Sequence, residues 1–215
     1  METYQTEEEQ IQAIKDWWKE NGRSVVAGLV IGIMAIVGYR YWGTHVQQQS
    51  EQASVLYANV MDAVATKNSD MAFTTGKEVI EKYASTPYAP LTALLLGRVA
   101  VDKNDFASAE AQLQWVIDNA SDEGIQQLAR IRLSRVLFAQ NKTDEALAVI
   151  ANESVSGFET LLYELRGDIY LHQAKKAEAV DEYRKALADF SINPQRRQTI
   201  QMKLDNLAES KEAAS

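Results

Sequence analysis

Apolar residues are spread unevenly along this chain, and their spacing changes character twice. Residues 24–44, SVVAGLVIGIMAIVGYRYWGT, carry no charge from Ser24 to Tyr39 and only Arg40 near the far end. At about 1.5 Å per residue a helix of this length spans about 31 Å, close to the ~30 Å hydrocarbon core of a bilayer. The alternatives are a buried core helix and a signal peptide. A signal peptide has a short basic start and ends on a small-residue cleavage site. Here 23 residues of mixed charge precede the run and HVQQQSEQ follows it, so the pattern predicts a retained transmembrane helix. Before it, Thr6-Glu7-Glu8-Glu9 has the form of a capping box. The helix it opens would set Ile11, Ile14 and Trp18 on one face, with Asn21-Gly22 as a stop.

Beyond the span the period becomes that of amphipathic helices. Val55, Leu56, Val60 and Val64 recur at helical spacing, Lys67-Asn68-Ser69-Asp70 interrupts them, and a second helix is predicted to about Tyr83. Residues 85–90 read as a loop leading to a helix start. An internal repeat then follows, in the segments 94–117, 132–150 and 164–187. Gly97, Ser134 and Gly167 fall in register, followed by Ala109, Ala146 and Ala179 and then by Leu113, Ile150 and Tyr183. The offsets of 37 and 33 residues bracket the tetratricopeptide period of about 34. A small residue facing an alanine lets two helices pack closely, and the large residue one turn on is expected to fill the groove between repeats. The second unit matches less well, with Glu153 where a small residue is expected, and residues 54–83 are a candidate further degenerate unit that does not align convincingly. Asn193-Pro194 reads as N-cap and first residue of a last helix, 194–208, whose Ile200, Leu204 and Leu207 would cover the open end of the stack.

Basic residues near the span set its orientation. Lys15, Lys19 and Arg23 precede it, whereas only Arg40 borders its other end before Lys67. The bias places the N-terminus in the cytoplasm and the remaining chain outside it. Trp17 and Trp18 on one side, and Tyr39, Tyr41 and Trp42 on the other, suit the two interfaces. Residues 46–215 carry 18 basic and 24 acidic side chains within an overall charge of -8, which argues against nucleic acid as a partner. With no cysteine the chain forms no disulfide and carries no acyl-Cys. Three prolines and ten glycines leave helix formers dominant.

Catalytic chemistry is not legible. His45 and His172 belong to no metal-ligand spacing, and no nucleophile-elbow, Walker, dinucleotide or H-E-x-x-H motif occurs. The expectation is a non-enzyme without cofactor or metal. Helical repeats usually work through their concave surface, so the candidate protein-binding face comprises Arg98, Arg135 and Asp168, each directly after the small residue, with Phe138, Leu171 and His172 about one turn further. The plainer reading of each is a solvated helix face. Within the span, Gly28 and Gly32 would let another helix approach closely, although glycine is common in transmembrane helices in any case.

The head of the chain, YQTEEEQIQAIKDWWKENGRSVVAGLVIGIMAIVGYRYWGTH, and the later LRGDIYL (165–171) resemble the YfgM family of bacterial inner-membrane proteins, ancillary subunits of the SecYEG translocon. The resemblance implies a single span, a periplasmic tetratricopeptide-like domain, and a chaperone-like role beside the translocon with a membrane-anchored periplasmic peptidyl-prolyl isomerase. It supplies no catalytic motif to carry over. The expected architecture is all-α, one transmembrane helix followed by a tetratricopeptide-like solenoid. Its parts are a cytoplasmic segment 1–23, the span 24–44, a periplasmic domain 45–208 and a frayed tail 209–215. The expected function is ATP-independent binding of unfolded exported proteins, or scaffolding of other folding factors. The alternative is a signalling adaptor whose cytoplasmic N-terminus binds a regulator.

Overall fold

A computed structural model describes residues 7–151, 156–189 and 192–212. The expected cap at Thr6 and the mismatch at Glu153 lie outside these residues. The described residues form nine α-helices and no strand, and the chain divides into two compact units at Glu51/Gln52.

The first unit is helical from Glu7 onward, within α1 (Glu7–Ala65). Among the described residues it supplies the one helix long and apolar enough to cross a membrane. The expected stop at Asn21-Gly22 does not occur. Asn21 Nδ2 donates to the Trp17 carbonyl at 3.1 Å, and the Trp18 ring covers Gly22, so that a Cβ there would lie 3.2 Å from Trp18 Cε2. Both residues are thereby absorbed into the helix, and the apolar run beyond them propagates it. Leu29, Ile31, Ile33, Met34, Ile36 and Val37 are all exposed, an apolar surface suited to lipid and costly in water.

The second unit is a stack of helical hairpins. The end of α1 pairs with α2 (Ser69–Lys82), α3 (Tyr88–Asp102) with α4 (Phe106–Asn119), α5 (Glu123–Ala139) with α6 (Thr143–Val149), and α7 (Glu159–His172) with α8 (Lys176–Ala188). The helix α9 (Pro194–Glu212) follows. Pro90, expected in the loop, lies in the first turn of α3, where a missing N–H costs nothing. Each hairpin turns in the same way. Lys67, Asn104, Asn141 and Ala174 have φ of 57, 59, 60 and 60°. The next residue's N–H bonds a carbonyl five residues back: Asn68 to Ala63, Asp105 to Ala100, Lys142 to Leu137 and Lys175 to Tyr170, at 2.8–3.0 Å. This is the Schellman closure, which usually recruits glycine; here none of the four is glycine.

Aligned on these turns, the repeat has a clear packing logic. The small residue sits seven positions before the turn residue, the alanine five after it and the large residue nine after it. Ala109, Ala146, Ala179, Ile150 and Tyr183 are fully buried. The large residue fills space inside its own hairpin, not the groove between repeats as expected. A Cβ on Gly167 would lie 2.5 Å from Tyr183 Cε1, and one on Gly97 would lie 3.4 Å from Leu113 Cγ. Ser134 takes the small position of the middle repeat because its hydroxyl finds a partner, donating to the Ala146 carbonyl at 2.8 Å.

The same register reveals residues 54–83 as a fourth unit. Ala72 holds the alanine position, but Val60 stands at the small one and Gly76 at the large one, so the sizes are exchanged across the hairpin. The space left by Gly76 is taken by Leu96 of the next repeat, 2.8 Å from where a Cβ would lie. Val60, Ala63, Ala72 and Leu96 accordingly form one buried cluster.

Polar contacts tie successive turns together. Lys103 reaches Asp70 at 3.8 Å, Gln140 Nε2 donates to Glu110 at 2.5 Å, and Gln173 Nε2 donates to Thr143 and Asp144 at 2.9 Å. The seven-residue α6 is too short to hold itself; Arg166 of α7 caps its end through the carbonyls of Ile150 and Ala151. At the far end Asn193 Oδ1 accepts from Gln195 N–H at 2.8 Å, so α9 starts as expected. It buries Ile200 and Leu207 against Ala179, Tyr183 and Ala186.

Candidate functional site

The first helices of the repeats, α3, α5 and α7, present Arg98, Arg135 and Asp168 on a common side, because each follows the buried small residue by one position. Two adjoining cavities open there. One, of about 330 Å³, has an apolar floor of Gly97, Phe106, Leu113, Val136 and Ala139, an exposed wall at Val101, and a rim of Arg98, Arg132 and Arg135. The other, of about 550 Å³, is polar and is lined by Arg135, Glu164, Leu165, Asp168, Asn193 and Arg196, among others. Arg135 belongs to both.

The two cavities differ in how their charges are used. In the polar one the carboxylates are already engaged. Lys203 Nζ lies 2.7 and 2.8 Å from the Asp168 oxygens and 2.9 Å from Glu164 Oε1. Arg196 Nη1 lies 2.6 Å from Glu164 Oε2, and the Tyr183 hydroxyl donates to Asp168 at 2.7 Å. Burial opposes the Lys203 ammonium, but hydrogen bonds to Asp168 and Glu164 outweigh it and hold its pKa above the ordinary lysine range. The Tyr183 phenol is pushed up by burial and by Asp168. This cluster is a structural tie between α7, α8 and α9.

In the apolar cavity the balance is reversed. No acidic side chain lines it, and neither Arg98 nor Arg135 has a carboxylate within 4.0 Å among the described residues. Arg132 is half-buried, and its Nη1 reaches the Leu94 carbonyl at 3.5 Å. Burial, then the like charges of Arg98 and Arg135, hold its pKa below the usual arginine value. Among the described residues, three guanidinium groups therefore share one rim without a carboxylate counter-ion.

The six candidates thus divide. Arg98, Arg135 and Asp168 line cavities. Phe138 and His172 instead meet edge-to-face across α5 and α7, with ring centroids 5.3 Å apart. Leu171 packs into the cluster around Tyr183 and Ile200. Arg132 was missed by sequence reasoning, although its spacing to Arg135, three residues on one helix face, was a usable signal. In the first unit, a Cβ on Gly28 or Gly32 would meet nothing within 4 Å, so one side of that helix is open to close approach. Among the described residues no group of His, Asp and Glu side chains has metal-binding geometry.

Residues 15–209 match the family model described as a tetratricopeptide repeat-like domain, which defines the class. The fold is shared with a chain of the APC/C hetero-tetramer Cut9-Hcn1, at a TM-score of 0.51 and 19% identity over 66% of this chain. This chain spans 27% of that one. Curated relatives extend over nearly the whole sequence. An Escherichia coli protein is 30% identical over 97% of this chain and 100% of its own length. A Haemophilus influenzae protein is 32% identical over 94% and 97%, and one from Neisseria gonorrhoeae is 29% identical over 96% and 100%. All three bear the name ancillary SecYEG translocon subunit, and the present chain belongs to that family.

Proposed function

We propose that this protein is a membrane-anchored, protein-binding accessory of the SecYEG translocon. Residues 24–44 span the inner membrane, residues 1–23 lie in the cytoplasm, and residues 45–208 form a periplasmic binding body, with 209–215 as its tail. The body acts without nucleotide or catalysis, holding unfolded exported proteins reversibly, or gathering other folding factors, among them a membrane-anchored peptidyl-prolyl isomerase. The anchor raises the local concentration of the body beside its partners. The translocon association draws support from the names of the relatives, and the anchor from the exposed apolar helix. Chain-binding rests on the observation that carries the reading: a cavity-bearing face formed by the first helices of the repeats, with three arginines that no acidic side chain among the described residues neutralises.

The test is affinity capture of the full chain from mildly solubilised inner membranes. SecY and SecE are expected to co-purify in amounts comparable to the bait. Their absence, with the bait intact and folded, would refute the association.

A further inference from the structure

The overall charge is -8, yet the cavity between α3, α4 and α5 is bounded by three arginines and no acid. Its neighbour contains Glu164 and Asp168, but those are committed to Arg196, Lys203 and Tyr183. The charged side chains lining the apolar cavity are therefore all positive, against the sign of the whole molecule. Guanidinium groups left unpaired beside a dry surface favour an incoming carboxylate, because charge-assisted hydrogen bonds strengthen where water is excluded. The floor, by contrast, offers only carbon, and Leu113 within it is almost wholly buried. At about 330 Å³ the space is at the low end for ligand pockets, right for one large side chain and its neighbours. Arg98 and Arg135 occupy the same register position in adjacent repeats, so the charged rim runs along the stacking direction. It leads into the second cavity, where Asn193, Gln195 and Thr199 offer polar groups.

We infer that this cavity receives an extended polypeptide segment by seating one large apolar side chain on Val101, Phe106 and Val136 while Arg98 and Arg135 hold the carboxylate side chain of an adjacent residue. The inference rests on the reading that the repeat body binds polypeptide, and it adds the sequence class that the body selects. Strands of alternating acidic and apolar character are preferred over basic or purely polar ones.

The experiment uses the full chain in uncharged detergent micelles and fluorescein-labelled, C-terminally amidated peptides with a central Asp-Phe-Asp between Gly-Ser flanks. Asn-Phe-Asn and Asp-Ala-Asp peptides are expected to bind about tenfold more weakly, the loss of one charge-assisted contact or one buried ring. The Arg98→Gln/Arg135→Gln variant should lose affinity for Asp-Phe-Asp by a similar factor and leave Asn-Phe-Asn unchanged. Val101→Asp, on the exposed wall, supplies an independent reading: it should weaken Asp-Phe-Asp and strengthen Lys-Phe-Lys. Equal affinity for Asp-Phe-Asp and Asn-Phe-Asn, or discrimination that survives in both variants, would overturn the inference alone. Failure of every peptide would count against the chain-binding reading itself, and the inference with it. Phosphatidylglycerol displacing a weakly held peptide one for one would assign the cavity to anionic lipid and overturn the inference.

Discussion

Truncating Tyr183 to alanine is expected to cost about 3–5 kcal/mol, the range for removing a fully buried aromatic side chain. The ring is fully buried, stands directly over Gly167, and sends its hydroxyl to Asp168. Its loss would leave a void in the last hairpin and unseat α9, which packs on the same cluster. The reciprocal substitution is as informative. Gly167→Ala places a Cβ 2.5 Å from a ring carbon that has nowhere to go, so overpacking of about 1–3 kcal/mol outweighs alanine's helix preference of about 1 kcal/mol. At the equivalent Gly97 the neighbour is Leu113 at 3.4 Å, ordinary contact, and Gly97→Ala should be neutral or stabilising by up to about 1 kcal/mol. One substitution at one repeat position thus carries opposite signs. Thermal melts followed by circular dichroism, with hydrogen exchange to localise the change, read both. Adding Tyr183→Leu should rescue Gly167→Ala in part, by copying the smaller partner of Gly97. If Gly97→Ala and Gly167→Ala shift the midpoint equally, the within-hairpin packing scheme is wrong.

The second large effect concerns the anchor. Ile33→Lys together with Met34→Lys puts two charges near the middle of residues 24–44, each costing about 2.5–3.5 kcal/mol at a span centre. The variant is expected to leave the membrane fraction on alkaline extraction, whereas the parent chain resists it. Gly28→Ile with Gly32→Ile serves as the contrast. It makes the span more apolar and should preserve retention, while blocking any close helix approach at the open face. A doubly charged variant that remains as firmly embedded as the parent would remove residues 24–44 from the role of anchor.

Much of the repeat architecture was legible because its cause is local. A small residue, an alanine and a large residue at fixed offsets from a polar turn are visible as Gly97, Ala109 and Leu113, and again as Gly167, Ala179 and Tyr183. The first hairpin, residues 54–83, resisted alignment for an equally physical reason: packing conserves summed volume across a contact, not the size at each position. Val60 and Gly76 exchange roles, and Leu96, distant in sequence, completes the fit. The turns hid their geometry too. Lys67 and Ala174 adopt the left-handed conformation that glycine or asparagine usually announces, held there by the bonds from Asn68 and Lys175. Asn21-Gly22 misled in the other direction, since a stop signal acts only when no helix-forming sequence follows. On the binding face the small-residue register placed Arg98, Arg135 and Asp168 on one side. What it did not reveal is that Asp168 is tied to Lys203, from 35 residues away, or that Phe138 and His172 pair with each other. Such contacts depend on the stacking of repeats, which no single repeat encodes.

The most direct test of the central claim is photo-crosslinking in living cells from a photo-reactive residue at Val101. This position is 36% exposed on the wall of the arginine-rimmed cavity; the same residue at Asp62 is the control. The account predicts adducts with translocon subunits, a membrane-bound isomerase or chains in the course of export, captured from Val101 and not from Asp62. Adducts confined to cytoplasmic proteins, or yields at Val101 no higher than at Asp62, would contradict it.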